Sequence, residues 1–388
     1  MRILLLGEYS NVHNTLACGL RELGHEVTVA SGGDFWKNYP RDVDLARKPG
    51  KLGGMALMAK IGALLPRWRG YDVVQLINPI FIDLKAERLF SVYRYLRRHN
   101  KAMVLGAFGM DWYWVHECTY RKPLRYSDFN FGDQPRTNAD ALKEQRDWLG
   151  TAKERLNRLI AQDCDAIVSG LYEYDVCYRP CFPQKTTFIP YPIFRGESRV
   201  ESGELGKNSE PSSLNSEPSS LNAPITLFIG ISRGRSQYKG TDIMLKAAED
   251  VQHRYPEHVR LVKAEGVPFG LYEQMMNDSD VLLDQLYSYT PAMNGLLAMS
   301  KGIVLVGGGE PENYEILGEH LLRPIVNVLP NYESVYHELE QLVLHPHRLA
   351  ELKRQSVEYV TRHHDYLKVA RQYEQLYRGL DGPKQRLE

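Results

Sequence analysis

The sequence has no excess charge of either sign, because 48 Lys and Arg side chains balance 48 Asp and Glu side chains. A protein that neutralises the phosphates of a nucleic acid normally carries a basic excess or a concentrated basic domain. We therefore expect no nucleic-acid partner. The chain has 388 residues, 43% of them hydrophobic, which is enough for a core in each of two domains of about 100 to 200 residues.

Long apolar runs are also missing, and cysteine is scarce. The longest runs, such as residues 3–6 and 303–306, are far shorter than the roughly 18 to 20 residues of a membrane-spanning helix. The apolar run before Gly7 is too short for the core of a signal peptide. Five cysteines without repeated Cys-x-x-Cys pairs favour reduced thiols over a disulfide framework or a zinc site. We therefore expect a cytoplasmic protein that holds no metal.

The apolar pattern predicts two doubly wound α/β domains. Residues 2–31 read as strand, loop, amphipathic helix and strand, which implies a right-handed crossover between parallel strands. Strand candidates continue to the segment 186–193. Residues 209–222 contain SEPSSLN twice, a low-complexity repeat that cannot build a core, and the strand–helix pattern restarts at residue 225.

We predict four segments from this pattern. They are a Rossmann-like domain at 1–195, a flexible linker at 196–223, a second Rossmann-like domain at 224–362, and a C-terminal helix at 363–388. In open parallel sheets, ligands bind beyond the carboxyl ends of the strands. The two domains are therefore expected to face each other across a ligand-binding cleft.

Residues 228–242 form the strongest candidate for a binding loop. A predicted strand leads into a loop with Arg233, Arg235 and Lys239 and then into a helix that Thr241 can cap. A helix N-terminus and nearby cations favour an anion such as a diphosphate. A solvated loop with ordinary surface cations explains the same residues, and the segment lacks the Gly-Lys-Ser/Thr ending of a P-loop.

This segment resembles the large retaining glycosyltransferase family of the GT-B fold (glycosyl transferase group 1, family 4-like), which uses nucleotide-activated sugars. Arg233 and the pair Lys239-Gly240 match the positions whose cations hold the donor diphosphate, with Arg235 a competing choice. Residues 278–317 look like the donor-binding stretch of the family. The resemblance implies two Rossmann-like domains across a cleft, a C-terminal helix that packs back toward the N-terminal domain, and donor binding by the second domain.

The family usually has two glutamates eight positions apart, and this chain lacks both. Those positions hold Tyr289 and Leu297, and neither side chain can accept hydrogen bonds as a carboxylate does. The departure puts the usual ribose contact, and catalysis itself, in question. Gly308, in the glycine run after the next predicted strand, is a further candidate for donor binding. Candidates for contacts that replace the glutamates lie close by: Asp284, Asn294, Glu310 and Glu312. A structural or surface role is the competing interpretation for each.

In the N-terminal domain, residues 107–131 contain eight aromatic residues where the composition of the chain predicts two or three. Aromatic faces with polar tips suit sugar or lipid-linked acceptors, although a locally aromatic core explains them as well. Asp111 resembles the Gly-x-Asp found after this strand in related enzymes. With His116, it is our candidate for acceptor contact or proton removal, and His13 is a second candidate; a structural role is the alternative for each histidine.

Residues 47–70 carry Lys and Arg but no acidic residue, interleaved with Met, Leu, Ile and Trp. An apolar face rimmed by cations can lie in the interface of an anionic membrane and would bring the protein to a lipid-linked acceptor. The alternative is a helix packed on the sheet with a basic outer face.

Taken together, the resemblance implies a hexosyltransferase-type enzyme that acts with retention in polysaccharide or glycolipid synthesis. Its partners would be a nucleotide-diphosphate sugar and a saccharide or lipid-linked acceptor. The donor is a substrate, so no cofactor is expected, and without an Asp-x-Asp pair no metal is required. The alternative is a non-catalytic glycosyltransferase-like partner protein. A nicotinamide-dependent oxidoreductase is disfavoured because the first strand is not followed by Gly-x-Gly-x-x-Gly.

Overall fold

The computed structural model describes residues 1–194, 223–231, 234 and 236–380. All but the last residue of the predicted linker, and residues 381–388 of the predicted C-terminal helix, therefore lie outside the described residues. The strands in chain order are β1 (Arg2–Leu6), β2 (Glu26–Ser31), β3 (Val43–Asp44), β4 (Val73–Leu76), β5 (Ala102–Ala107), β6 (Asn130–Phe131), β7 (Gln134–Pro135), β8 (Ala166–Ser169), β9 (Thr186–Phe188), β10 (Ile225–Ile231), β11 (Val259–Glu265), β12 (Val281–Leu283), β13 (Val304–Gly307) and β14 (Val326–Asn327).

Helices connect most of these strands. In chain order they are α1 (Val12–Glu22), α2 (Gly50–Leu64), α3 (Ala86–His99), α4 (Trp112–His116), α5 (Ala139–Trp148), α6 (Ala152–Asp163), α7 (Tyr172–Tyr178), α8 (Ser236–Lys239), α9 (Thr241–Arg254), α10 (Phe269–Asn277), α11 (Met293–Ser300), α12 (Pro311–Leu317), α13 (Tyr332–Leu344), α14 (His347–His363) and α15 (Tyr366–Gly379). Short 3₁₀ turns occupy Phe35–Lys37 and Leu65–Arg67, and a π-helical turn occupies Glu117–Arg121.

The N-terminal sheet is parallel, with the strand order β3-β2-β1-β4-β5-β8-β9 in the described part of the chain. Four successive residues of β1, from Ile3 to Leu6, are fully buried, because helices cover both faces of such a sheet. Strand β9 ends at Phe188, although the sequence predicts a strand to residue 193. Pro190 and Pro192 explain the early end, since proline has no N–H to donate to a neighbouring strand.

The C-terminal sheet is also parallel, with the order β11-β10-β12-β13-β14 among the described residues. Helix α9 packs on it through Met244, Ala247, Ala248 and Val251, a spacing that places all four side chains on one face of a helix. The prediction of two doubly wound α/β domains is confirmed.

Helix α15 returns from the C-terminal domain to the N-terminal domain, as expected, and packs on α1. Gly19 makes this contact close, because a Cβ at this position would lie 2.6 Å from the Cβ of Ala370 and 2.8 Å from the carbonyl oxygen of Tyr366. At the far end of α15, the hydroxyl of Tyr377 donates a hydrogen bond of 2.7 Å to Gln75 in β4. The last helix is therefore part of the layer that covers the N-terminal sheet.

Candidate functional site

A cavity of about 250 Å³ lies between the two sheets. Its walls come from the loops and helices that follow β1, β5, β8 and β9 in the N-terminal domain and β10 and β12 in the C-terminal domain. The carboxyl ends of both sheets therefore face the same space, which is where open parallel sheets bind ligands. The volume lies just below the range of about 300 to 1,000 Å³ that is usual for small-molecule sites.

Lys239 lies in the wall of this cavity, at the end of the short helix α8. Gly240 follows it with a φ of 73° and precedes α9, and a Cβ on Gly240 would lie 2.7 Å from the Cβ of Leu286. Glycine is therefore required both by the left-handed backbone and by the close approach. The chain thus delivers a lysine and the N-terminus of a fourteen-residue helix to one place.

The predicted binding loop also contains two arginines and Thr241. Arg233 and Arg235 lie outside the described residues, so their part in the site stays a prediction. The expectation that Thr241 caps α9 is wrong, because Gly240 occupies the N-cap position and makes no side-chain cap. The hydroxyl of Thr241 instead lies 2.9 Å from that of Ser236, an arrangement that ties the start of α9 to the start of α8.

Asp284 and Asn294 form a polar group close to Lys239. The amide of Asn294 donates a hydrogen bond of 3.3 Å to the carboxylate of Asp284, and the hydroxyl of Tyr272 donates one of 3.2 Å to Asn294. Burial raises the pKa of Asp284, and the positive charge of Lys239 opposes this rise. The structure therefore brings three of the predicted site residues together, with Asn294 and Lys239 both acting on Asp284.

Gly308 packs against the loop that follows β12. A Cβ on Gly308 would lie only 2.0 Å from the carbonyl oxygen of Ser288, so no other residue fits without moving this loop. Tyr289 in the same loop is buried, and burial raises the pKa of its hydroxyl to about 12. This hydroxyl accepts a hydrogen bond of 3.3 Å from the backbone N–H of Tyr126 in the other domain.

Glu310 is buried and bonded across the cleft. Its carboxylate accepts a hydrogen bond of 2.6 Å from the hydroxyl of Tyr126 and one of 2.7 Å from Arg125, and Arg125 also pairs with Glu312. Both carboxylates therefore face a segment of the N-terminal domain. Neither Glu310 nor Glu312 is among the described residues that line the cavity.

The contacts of Tyr289, Glu310 and Glu312 with the N-terminal domain all involve residues 122–136, which we call the arm. The guanidinium of Arg136 donates a hydrogen bond of 2.8 Å to the carbonyl of Gln237 in α8 and lies 3.5 Å from the ring centroid of Tyr287. The carboxylate of Asp128 accepts a hydrogen bond of 2.5 Å from the hydroxyl of Tyr238. The arm thus fixes α8, and with it Lys239, from the opposite domain.

Asp111 and His116 do not join this group, and neither is among the described residues that line the cavity. Asp111 is fully buried, caps α4 and accepts a hydrogen bond of 2.6 Å from the hydroxyl of Tyr178. Burial raises the pKa of Asp111 to about 7. The ring of His116 stacks on Trp112 at 4.5 Å and its Nδ1 lies 2.9 Å from Glu117.

His13 is fully buried as well, with Nδ1 2.9 Å from the carbonyl of Gly7 and Nε2 3.1 Å from the amide of Gln75. Burial lowers its pKa to about 3. These contacts hold the first loop of the N-terminal sheet in place.

Two carboxylates in the cavity wall escaped the sequence analysis. Asp128 belongs to the arm, and Glu173 lies in α7, directly after β8. A signal existed for Glu173, because it follows the carboxyl end of a parallel strand, where ligand-binding residues are expected. No pattern of residues pointed to Asp128 within its aromatic segment.

The segment 47–70 forms a separate surface. Leu57 and Ile61 of α2 are buried in the same core cluster as residues of the sheet, whereas Leu52 is 78% exposed and Met55 is 67% exposed. The basic residues around them are exposed too: Arg47, Lys48, Lys51, Lys60, Arg67 and Arg69. None of the described helices is long and apolar enough to span a bilayer.

No protein-family model and no curated protein matches the sequence. Solved structures do match it over nearly its full length. HepE from Anabaena, solved with UDP and glucose, has a TM-score of 0.56 at 12% identity and covers 98% of this chain and 100% of its own. The chain has the GT-B fold.

Two further structures support this assignment. Sucrose-phosphate synthase from Thermosynechococcus elongatus has a TM-score of 0.59 at 12% identity, with 98% of this chain and 99% of that chain covered. UDP-GlcNAc 2-epimerase from Neisseria meningitidis, solved with UDP-GlcNAc, has a TM-score of 0.53 at 11% identity, with 97% and 99% covered. At these identities the likeness concerns the fold alone.

Proposed function

We propose that this protein is a glycosyltransferase that moves a sugar from a nucleotide-diphosphate sugar to an acceptor hydroxyl. The observation that carries the proposal is the position of Lys239, which lines the interdomain cavity directly before the N-terminus of α9. A cation and a helix N-terminus together favour a phosphate group. The similarly folded HepE has been solved with UDP and with UDP-glucose, which supports a nucleotide-diphosphate sugar as the donor.

The chemistry follows from the charge that develops during transfer. The bond between the anomeric carbon and the diphosphate oxygen breaks, the diphosphate gains negative charge, and the acceptor oxygen bonds to the anomeric carbon. Lys239 and the N–H groups at the start of α9 would stabilise that charge in the transition state. By sequence, Arg233 or Arg235 would add a further cation.

The group that takes the proton of the acceptor hydroxyl determines whether the enzyme needs a protein base. A front-side reaction retains the anomeric configuration, and in it the departing phosphate oxygen takes the proton from the acceptor hydroxyl. No protein base is then needed, and neither Asp111 nor His116 is among the described residues that line the cavity. Because protein cations would carry the diphosphate charge, we propose a transfer without metal or cofactor.

The acceptor side of the cavity is aromatic. Trp114, Tyr174 and Tyr191 of the N-terminal domain line it, and aromatic faces with polar tips suit a saccharide or a lipid-linked saccharide. We therefore propose a hexose transfer in polysaccharide or glycolipid synthesis. All five cysteines are free, which agrees with a cytoplasmic protein.

The surface of α2 supports a peripheral contact with an anionic membrane. Leu52 and Met55 project from the helix near its N-terminal end, which follows β3 and therefore lies toward the cleft edge of the sheet. Six cations and no acidic residue occur between residues 47 and 70. Apolar side chains among cations suit the interface of a membrane with anionic lipids, and this contact would hold the cleft near a lipid-linked acceptor.

A thermal-shift screen with UDP, GDP, ADP and their glucose or mannose conjugates in EDTA tests the donor site. Binding to the folded state at one hundred times Kd stabilises it by about 2.7 kcal/mol. We expect one nucleotide class to raise the Tm of the wild type and to have little effect on Lys239→Gln. The matched control is Lys246→Gln, which removes an exposed lysine of α9 that pairs with Asp250 and should respond as the wild type does.

Turnover of the bound donor is then followed with oligosaccharide and lipid-linked acceptors by mass spectrometry. Transfer in EDTA, with the configuration read by NMR, would support the whole proposal. No shift with any nucleotide would overturn it. Binding without transfer or hydrolysis of any donor would favour the non-catalytic partner protein instead.

A further inference from the structure

Glu173 links the two domains inside the cavity. It lies in the first turn of α7 in the N-terminal domain, is only 4% exposed, and belongs to the cavity wall. Its side chain reaches the loop 288–290 of the C-terminal domain, which follows β12. The contact therefore exists only when the two domains face each other as they do here.

The loop 288–290 wraps around this carboxylate. Oε1 accepts hydrogen bonds from the backbone N–H groups of Tyr289 and Thr290, at 2.6 and 3.1 Å. The hydroxyl of Ser288 lies 2.9 Å from Oε1 and 2.5 Å from the carbonyl oxygen of Thr290, and its one proton serves one of these acceptors at a time. Oε2 accepts one bond, of 2.6 Å, from the hydroxyl of Thr290. Within the described part of the chain, no cation forms an ion pair with Glu173.

This distribution of donors leaves capacity on one side of the carboxylate. An ionised carboxylate has about four acceptor positions, two on each oxygen. The two backbone N–H groups fill those of Oε1, whereas the hydroxyl of Thr290 fills one of the two positions on Oε2. Burying a carboxylate without a cation is costly unless its oxygens are hydrogen-bonded. A ligand in the cavity that donates a hydrogen bond to Oε2 would complete the set.

The charges in the cavity wall indicate which part of a nucleotide sugar this is. Lys239 attracts the diphosphate, whereas Glu173 repels it. The ribose and the transferred sugar are both uncharged and carry hydroxyls that can donate to a carboxylate. We choose the transferred sugar, and the comparison of a nucleotide with its nucleotide sugar separates the two. We infer that Glu173 is a specificity residue that accepts a hydrogen bond from a hydroxyl of the donor sugar while it positions the loop 288–290. This inference rests on the proposed function.

The test compares the binding of UDP with that of UDP-glucose by isothermal titration calorimetry; GDP with GDP-mannose and ADP with ADP-glucose run in parallel. The variant Glu173→Gln keeps the shape of the side chain and one acceptor oxygen for the loop, but replaces the other oxygen with an NH₂ group. Hydrogen bonds to charged groups are the strong ones. We therefore expect the Kd of the nucleotide sugar to rise about 10-fold or more and that of the nucleotide to change less than about 3-fold.

The matched control is Arg125→Gln, which removes an interdomain ion pair with Glu310 and Glu312 outside the described cavity lining. It should change both Kd values by the same factor. Monodeoxy forms of the sugar then identify the hydroxyl, because one of them should bind equally to wild type and Glu173→Gln.

The results distinguish a failure of the proposed function from a failure of the role inferred for Glu173. If the wild type binds nucleotides and Glu173→Gln weakens nucleotide and nucleotide sugar equally, Glu173 only joins the domains, and this inference is overturned while the proposed function stands. If the wild type binds none of the three pairs, the proposed function fails and the inference fails with it.

Discussion

The variant Gly308→Ala tests the close contact between the end of β13 and the loop 288–290. The added Cβ would lie 2.0 Å from the carbonyl oxygen of Ser288 and 2.5 Å from its carbonyl carbon. Both are backbone atoms, so no side-chain rotation can relieve the clash. Overpacking of this kind costs about 1 to 3 kcal/mol and occasionally more. Because this contact is so short, we expect the free energy of unfolding to fall by about 2 kcal/mol or more.

The same substitution at Gly62 is the matched control. Gly62 lies within α2 and is exposed, and apart from its chain neighbours and the backbone of its own helix no described atom lies within 4 Å of the position of a Cβ. Alanine is favoured over glycine inside a helix by about 1 kcal/mol, so Gly62→Ala should increase stability. The two variants therefore change stability in opposite directions for one added methyl group.

Urea denaturation followed by circular dichroism measures both effects, and calorimetry with UDP-glucose measures the effect on the site. Gly308→Ala should unfold at lower urea than wild type and bind UDP-glucose more weakly, because the displaced loop carries the donors that surround Glu173. If Gly308→Ala unfolds at the wild-type urea concentration and keeps the wild-type Kd, the contact between Gly308 and Ser288 is not as close as described.

Three further predictions concern other parts of the molecule. Burial alone would raise the pKa of Glu319, but hydrogen bonds from an imidazole and two backbone N–H groups hold it at about 2. Stability should therefore fall as the pH drops from about 4.5 toward about 2, and less steeply in Glu319→Gln when the unfolding midpoint is measured across that range. Replacing Leu52 and Met55 together by Ser should weaken cosedimentation with phosphatidylserine vesicles by about 10-fold or more, since burial of apolar area contributes about 25 cal/mol per Å²; equal binding to neutral vesicles would contradict the role of the cations. Tyr126→Phe removes the hydroxyl that donates to Glu310 and should lower the free energy of unfolding by about 1.5 to 3 kcal/mol, and a loss below about 0.5 kcal/mol would contradict this.

The sheets are the part of the molecule that the sequence predicts best. Parallel strands buried on both faces read as continuous apolar runs, as Ile3 to Leu6 do, and the glycines that follow strands mark where the chain turns toward the cleft. The end of β9 was harder to predict because the apolar residues continue to Ile193. The two prolines, which have no N–H to donate to a neighbouring strand, explain why the strand ends earlier.

Less of the site could be predicted, because much of it is shared between domains. Local patterns point to Lys239, Asp284 and Asn294, which the structure brings together. The family resemblance predicts a glutamate at position 289, where this chain has tyrosine. Glu173, more than one hundred residues earlier in the chain, supplies a carboxylate to this loop from the opposite sheet, and no local pattern encodes that meeting.

Helix α15 affects the order in which the molecule can be completed during synthesis. It packs on α1, and the hydroxyl of Tyr366 donates a hydrogen bond to Glu22 across a separation of 344 residues. At about 5 to 20 residues per second, a ribosome needs about 17 to 70 s to cover that separation. Throughout this time the face of α1 that receives α15 stays uncovered, so the domain that emerges first is the one that is finished last.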